Sequence, residues 1–338
     1  PVRCAQTYFA DRSEATTNYI LITECLEYAS AEQHPRGDDG RRLPPMRIQR
    51  AHNKFQDHHL GTDPSEYYFV LVRKLGRLGG WYKGSDEVAR SLNAAVPTNY
   101  PEDNRVASGG AMAAMQLNTF EEFVTKCAPK LFPADVSDAA YMARWRVQFE
   151  HIARLAPRLQ KHLGSDPDYM AAGHWNLNID NAFWWRDSDG VLDCGLIDWA
   201  AFGIQEVTAS LDMCLFSGGW AVQQAHQRDL LKAFADEYAA AGGPTLDVDE
   251  LKLRFDLSLA LSLGGQLGVV PMLYRGIPKD QWPTVASWRD GRIDADTGLA
   301  MLTRSYLCNL VYRMTRWKHD GVYARVCEWA GVAQAPGT

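Results

Sequence analysis

The sequence predicts an α+β fold, with a short β-rich N-terminal stretch followed by a large, mainly helical remainder. Three observations carry this. Residues 3–11 (RCAQTYFAD) and 18–24 (NYILITE) are rich in β-branched and aromatic residues around a polar turn, the pattern of an antiparallel hairpin. From about residue 63, apolar residues recur at helical spacing through most of the chain. A second hairpin pattern interrupts the helices where AFWW (182–185) and VLDCGLID (191–198) flank the turn RDSDG.

Taken in order, PRGDDGRRLPP at 35–45 combines Gly, Pro and charge without an apolar period and reads as a surface loop. In TDPSEYYFVLVRKLGRLGGWY, Asp63 is placed to cap a helix, Pro64 suits its first position and Glu66 follows the cap by three. Tyr68, Leu71, Leu75 and Leu78 then share one face. GRLGG at 76–80 lies inside that period, so it lacks the strand-then-helix context of a phosphate loop. Helices are expected at 119–131 and 138–163, the second broken or bent near Pro157. In the second hairpin Leu192, Cys194 and Leu196 fall on one face, and of Trp184 and Trp185 one is expected in the core and one at the surface. The pattern from 206 to 330 is helical again, with breaks at GGP (242–244) and IPKDQWP (277–283). Leu257–Tyr274 carries no charge over 18 residues, near the lower limit for a membrane span. Its two Ser, Gln266, three Gly and Pro271 favour a buried helix instead.

The formal net charge is −6, from 35 basic and 41 acidic residues spread along the chain. No basic stripe is present for counterion-driven binding, which argues against a nucleic-acid partner. Hydrophobic residues make up 46% of the 338, ample for a core. The seven cysteines stand alone, without CxxC or CxxH spacing, and read as reduced thiols of a cytoplasmic protein in a reducing compartment. The chain begins at Pro1 with no signal pattern and reads as a fragment or a trimmed product. His58 and His59 are sequence neighbours, which on a regular helix or strand do not both reach one ion, so a metal role there is disfavoured.

The densest chemistry lies in GHWNLNIDNAFWW (173–185) and GLIDWAAFG (195–203). Phosphoryl transfer needs a metal clamp on the phosphates and an oriented nucleophile rather than covalent help. Asn181 and Asp198 are 17 positions apart across a hairpin that brings them side by side, and oxygen ligands of this kind suit Mg²⁺. Asn176, five residues before Asn181, would face the substrate hydroxyl.

At these residues the sequence resembles the aminoglycoside phosphotransferase and choline-kinase-like group of the protein-kinase-like fold. That group has a loop written HGDxxxxN, then a hairpin, then IDW or IDF. This chain reads His174, Trp175, Asn176, then Asn181, then IDW at 197–199. In register with this, YFADRSEATTNYILITECL is similar to the last strands of the small lobe and the hinge. YYFVLVRKLGRLGGWY is similar to the first long helix of the large lobe, and ASLDMCLF, with Asp212, to the helix after the metal loop.

The resemblance implies a two-lobed fold with a truncated N-terminal lobe: residues 1–30 a remnant of the nucleotide-binding lobe and hinge, 31–45 a loop, and 46–333 the large helical lobe with its catalytic-loop hairpin at 174–199. It implies ATP and Mg²⁺ as cofactors, Asn181 and Asp198 as metal ligands, His174 as support for the loop, and the backbone of Glu24, Cys25 and Leu26 as the adenine contact. Where the group has Asp, this sequence has Asn176, whose amide can orient a hydroxyl but cannot take its proton. Asp180 is the nearby carboxylate that could substitute. The glycine-rich loop and the strand Lys of the small lobe have no counterpart. Two functions are thus expected: transfer of the ATP γ-phosphoryl group to a small-molecule hydroxyl, or a pseudokinase that senses nucleotide or binds a protein without turnover. A membrane partner is not expected.

Overall fold

The computed structural model describes residues 2–12, 19–26, 32–33, 46–47, 49–50, 53–99 and 111–336. Most of the turn expected at 12–17 and the whole of the loop expected at 35–45 lie outside them. The N-terminal strands β1 (Thr7–Arg12) and β2 (Tyr19–Thr23) pair antiparallel, as their composition predicts. Two-residue strands follow at β3 (Glu32–Gln33), β4 (Met46–Arg47) and β5 (Gln49–Arg50). The large part of the chain then comprises α1 (Ser65–Lys83), α2 (Asp86–Ala95), β6 (Thr98–Asn99), α3 (Ala111–Glu122) and α4 (Ala139–Ser165). Strands β7 (Met170–His174), β8 (Ala182–Arg186), β9 (Leu192–Leu196) and β10 (Phe202–Glu206) come next. Helices α5 (Val207–Leu215), α6 (Gly219–Ala240), α7 (Val248–Gln266), α8 (Val270–Gly276), α9 (Gly291–Asp294), α10 (Gly298–His319) and α11 (Val322–Ala330) complete it. A small strand unit on a mainly helical body is the α+β layout the sequence predicts.

Helix α1 forms for the reasons visible in its sequence. Asp63 accepts hydrogen bonds from the backbone N–H and the hydroxyl of Ser65, and Tyr68, Leu71, Leu75 and Leu78 are all buried. Glu66 does not complete a capping box. Its carboxylate instead takes two hydrogen bonds from Arg186, at 2.9 and 2.6 Å, tying α1 to the end of β8. GRLGG is a packing surface: a Cβ on Gly76 would stand 2.5 Å from the Phe234 carbonyl, and one on Gly80 would collide with the Tyr238 carbonyl of α6. The glycines let two backbones approach where side chains would hold them apart.

Three expectations are corrected. Of the break or bend expected near Pro157 in α4, the break is absent: the helix continues through it, with ten buried side chains to offset the one lost backbone bond. The helix expected at 119–131 begins earlier, at Ala111. It widens to a π-helical turn at Phe123–Cys127 and ends in a 3₁₀ turn at Pro129–Leu131, which turns Phe123, Val124, Cys127 and Leu131 all inward. Trp184 and Trp185 are both buried, since the hairpin is covered on both faces. Trp184 packs edge-on against Tyr67 of α1, and Trp185 lies with Phe183, Leu26 and Ile197 beneath the Arg3 guanidinium.

Two large apolar cores result among the described residues, beside the small cluster around Phe183 and Trp185. One lies among α3, α4, α7, α8, α10 and α11; the other joins α1, α5 and α6 to strands β7–β10. Val248–Gly276 is one run long and apolar enough to cross a membrane by composition, with half of its most apolar window buried here. Within it Arg254 and Asp256 are buried and ion-paired, to Glu250 and Arg316 among others.

Candidate functional site

Loop 174–181 is positioned from both sides by sheet. Strand β10 pairs antiparallel with β7, matching Phe202 to His174, and β8 pairs with β9, matching Ala182 to Leu196. The hairpin's open end is closed by Ile197 N–H donating to the Asn181 carbonyl at 3.0 Å. Asn181 therefore faces Ile197, one residue before Asp198, which is the juxtaposition the 17-residue spacing predicts. The N-terminal segment braces this hairpin: Leu196 N–H donates to the Arg3 carbonyl at 2.9 Å, and the Arg3 guanidinium lies over the Phe183 ring at 5.0 Å.

His174 lies at the end of β7, where the loop begins. It is fully buried, its Nε2–H reaches the Ile197 carbonyl at 2.8 Å, and its ring packs against Trp199. Burial lowers its pKa below the ordinary histidine value, against the opposing influence of the Ile197 carbonyl and Asp198. The ring is thus neutral at pH 7, a donor to backbone rather than a base.

Three asparagines and an aspartate form one hydrogen-bonded set. Asn176 Nδ2 donates to Asp198 Oδ2 at 2.9 Å, and Asn176 Oδ1 accepts from Asn178 Nδ2 at 2.9 Å. Asn181 Nδ2 donates to the Asn176 carbonyl at 2.6 Å. That bond turns the Asn181 amide so that its donor faces the loop and its Oδ1 is the atom left for a cation. Asp198 has left-handed backbone angles (φ 61°, ψ 55°) and makes no side-chain cap to the 3₁₀ turn Trp199–Ala201. The bland role for a strand-end Asp, capping the next segment, is therefore not the one it plays. Such angles cost a non-glycine residue of order 1–3 kcal/mol and concentrate at functional sites.

Asp180 faces Lys54, Oδ2 to Nζ 3.7 Å, while its Oδ1 is buried without a hydrogen-bond donor. The sequence reading missed Lys54, because no local pattern links residue 54 to residue 180. In the expected hinge, Glu24 N–H donates to the Gln6 carbonyl at 2.7 Å, and its carboxylate accepts from Gln6 N–H and Arg3, both at 3.2 Å. Cys25 is exposed, and Leu26 packs on Phe183 and Trp185. Asp212 on α5 lies behind the sheet, buried in a network with Arg313 and Arg316 at 2.5 and 3.5 Å.

No protein-family model matches this sequence, and no curated protein matches it. Among solved structures the chain is similar to a choline/ethanolamine kinase family protein from Mesorhizobium loti (14% identity, covering 91% of this chain and 77% of that one, TM-score 0.38). It is also similar to an ethanolamine kinase from Plasmodium vivax (11%, 95% and 69%, TM-score 0.41). A third is a spectinomycin phosphotransferase in complex with ADP and spectinomycin (10%, 76% and 69%, TM-score 0.34).

Proposed function

We propose that this chain is a phosphotransferase-like protein that moves the ATP γ-phosphoryl group to a hydroxyl of a small molecule, slowly, within a reducing cytoplasm. The observation that carries the reading is the loop–hairpin junction: Asn181 set beside Asp198 by the Ile197–Asn181 backbone bond, with Asn181 Oδ1 and Asp198 Oδ1 outside the internal hydrogen bonds of the loop. The donor set is neutral amide plus carboxylate oxygen, which fits Mg²⁺. Asn181 and Asp198 would hold that ion, which when bound supplies charge neutralisation on the phosphates. Backbone groups of Glu24, Cys25 and Leu26 would meet adenine.

Asn176 positions without deprotonating. Asp180, the sole carboxylate within 174–181, is the remaining acceptor for the hydroxyl proton, and Lys54 fixes its place. Losing a general base is worth about 10²–10⁴ in rate, so a site with its metal ligands but no base in position 176 turns over slowly.

One observation favours a second reading, a pseudokinase that binds nucleotide or a protein partner without turnover. The Asn176 amide is spent on both sides, toward Asp198 and from Asn178. Measuring Mg²⁺-dependent ATP binding and phosphoryl transfer to a panel of small hydroxyl compounds, for the wild type, Asn176→Asp and Asp180→Asn, separates the two. Slow transfer raised by Asn176→Asp and abolished by Asp180→Asn supports the enzyme. Binding without transfer in all three supports the pseudokinase, and the absence of nucleotide binding overturns the enzyme and the nucleotide-binding form of the pseudokinase.

A further inference from the structure

The sequence gives little reason to expect a metal at His58 and His59, because neighbours on a regular element diverge. The structure removes that objection. Asp57–His59 is a single 3₁₀ turn, and on it the two rings stand 4.3 Å apart between centroids, nearly edge to face. Both Nε2 atoms converge on one carboxylate oxygen, Asp294 Oδ2, at 3.3 Å from His58 and 3.4 Å from His59. The three donor atoms all lie within 4.8 Å of one another.

Those separations discriminate between ions. Zinc bound at about 2.0–2.1 Å in tetrahedral geometry has ligand atoms roughly 3.3–3.4 Å apart along each edge. An octahedral Mg²⁺ shell at about 2.0–2.1 Å has adjacent ligands roughly 2.9–3.0 Å apart and takes oxygen in place of imidazole. The two observed edges are those of the zinc tetrahedron. The third, between the histidines, is within 4.8 Å, and the His59 ring is the more exposed of the two.

The carboxylate is also oriented from behind, as metal-ligating carboxylates are. Gln56, 1% exposed, donates from Nε2 to both Asp294 Oδ1 and the Asp294 carbonyl at 2.9 Å, leaving Oδ2 for the histidines. Asp294 closes the short helix α9, whose start is capped by Asp290. A second link, Asn53 Nδ2 to Asp296 Oδ1 at 2.8 Å, holds the same two segments together. His58 also borders a cavity of about 260 Å³ whose walls include Trp220, Trp288, Arg304 and Tyr312.

We propose that His58, His59 and Asp294 form a zinc-class divalent metal site with three protein ligands and an open fourth position beside this cavity, clamping the turn at 56–59 to α9. It shares no residue with the site at Asn181 and Asp198, and it does not depend on the phosphotransferase reading. The open position makes it a place where water or an oxygen-bearing or nitrogen-bearing ligand in the cavity can complete the shell.

The test uses the full chain with the exposed Cys4 and Cys25 replaced by Ser, so that free thiols do not compete for metal. Zn²⁺ is titrated in competition with a chromophoric chelator, and Co²⁺ is added separately to read geometry from its visible spectrum. One equivalent of Zn²⁺ and intense tetrahedral-type Co²⁺ bands are expected. His59→Ala and Asp294→Asn should each weaken binding at least about 10-fold and remove the bands, and Gln56→Ala should weaken it by a smaller factor. His226→Ala, outside the cluster, should bind as the parent does. His59 is exposed, so its variant decides the question if Asp294→Asn fails to fold. Equal Zn²⁺ affinity in His59→Ala and the parent, octahedral-type Co²⁺ spectra, or no binding by the parent would overturn the proposal and leave a carboxylate bridged by two histidines.

Discussion

Asn176 donates its side-chain amide to Asp198 Oδ2 at 2.9 Å, joining the residue proposed to orient the acceptor to the residue proposed to hold the metal. The bond is possible because position 176 is uncharged. A carboxylate there would face Asp198 at the same separation, and like charges so close repel unless one is protonated or a cation lies between them.

Asn176→Asp is therefore expected to lower the melting temperature at pH 7 and low salt, and Mg²⁺ is expected to restore it while shifting the wild type less. Thermal melts with and without Mg²⁺ check this. A variant whose melting temperature ignores Mg²⁺ would count against a cation between Asn181 and Asp198.

His174 gives a pH signature. Its folded-state pKa lies below 6.5 because burial disfavours the imidazolium, so the unfolded chain takes up the proton first as pH falls. Its contribution to stability is complete above about 6.5 and declines as the pH drops from there toward the lowered folded value. Urea midpoints between pH 5 and 8 should fall on the acid side. The slope should be shallower in His174→Gln, which keeps a donor for the Ile197 carbonyl but cannot titrate. An unchanged slope would place the acid sensitivity elsewhere.

The buried charge network behind the sheet makes a stability prediction. Asp212, Asp256, Arg313 and Arg316 are all at most 3% exposed, and Arg316 reaches Asp256 at 2.7 Å. Asp212→Ala leaves Arg313 without its carboxylate partner and is expected to cost about 3–5 kcal/mol, the range for breaking a buried pair. Equilibrium denaturation measures it, and a loss under about 1 kcal/mol would mean that Ser262 and Asn309, which also bond Arg313, suffice.

Gly80→Ala is expected to destabilise by roughly 1–3 kcal/mol, since a Cβ there meets the Tyr238 carbonyl and α1 must move away from α6. Gly190→Ala, in the exposed hairpin turn at φ 80°, has open space around it and tests backbone strain alone. The comparison by chemical denaturation distinguishes packing from conformation, and equal losses would remove packing as the cause at Gly80.

What could be read from the chain was what depends on short-range pattern. The strand pair at 7–23, the hairpin 182–196, α1 and its buried face, and the breaks after 240 follow from periodicity and turn chemistry. So does the placing of Asn181 opposite Ile197, the residue before Asp198, because a two-stranded register follows from sequence spacing alone. The role expected of His174 came from the family resemblance alone, and its pairing with Phe202 of β10, two strands further along the chain, is a tertiary feature.

Tertiary structure decided everything joined across long separations. Lys54 against Asp180, Asp294 against two histidines 235 and 236 residues earlier, and Arg313 against Asp212 are brought together by helix packing, and no local signal records a partner more than 50 residues away. The same holds for burial on two sides. Trp185 looks like a surface residue of a strand until Arg3 and Leu26 cover it. Periodicity reports which face of an element is apolar, but only the packed fold supplies what lies against it.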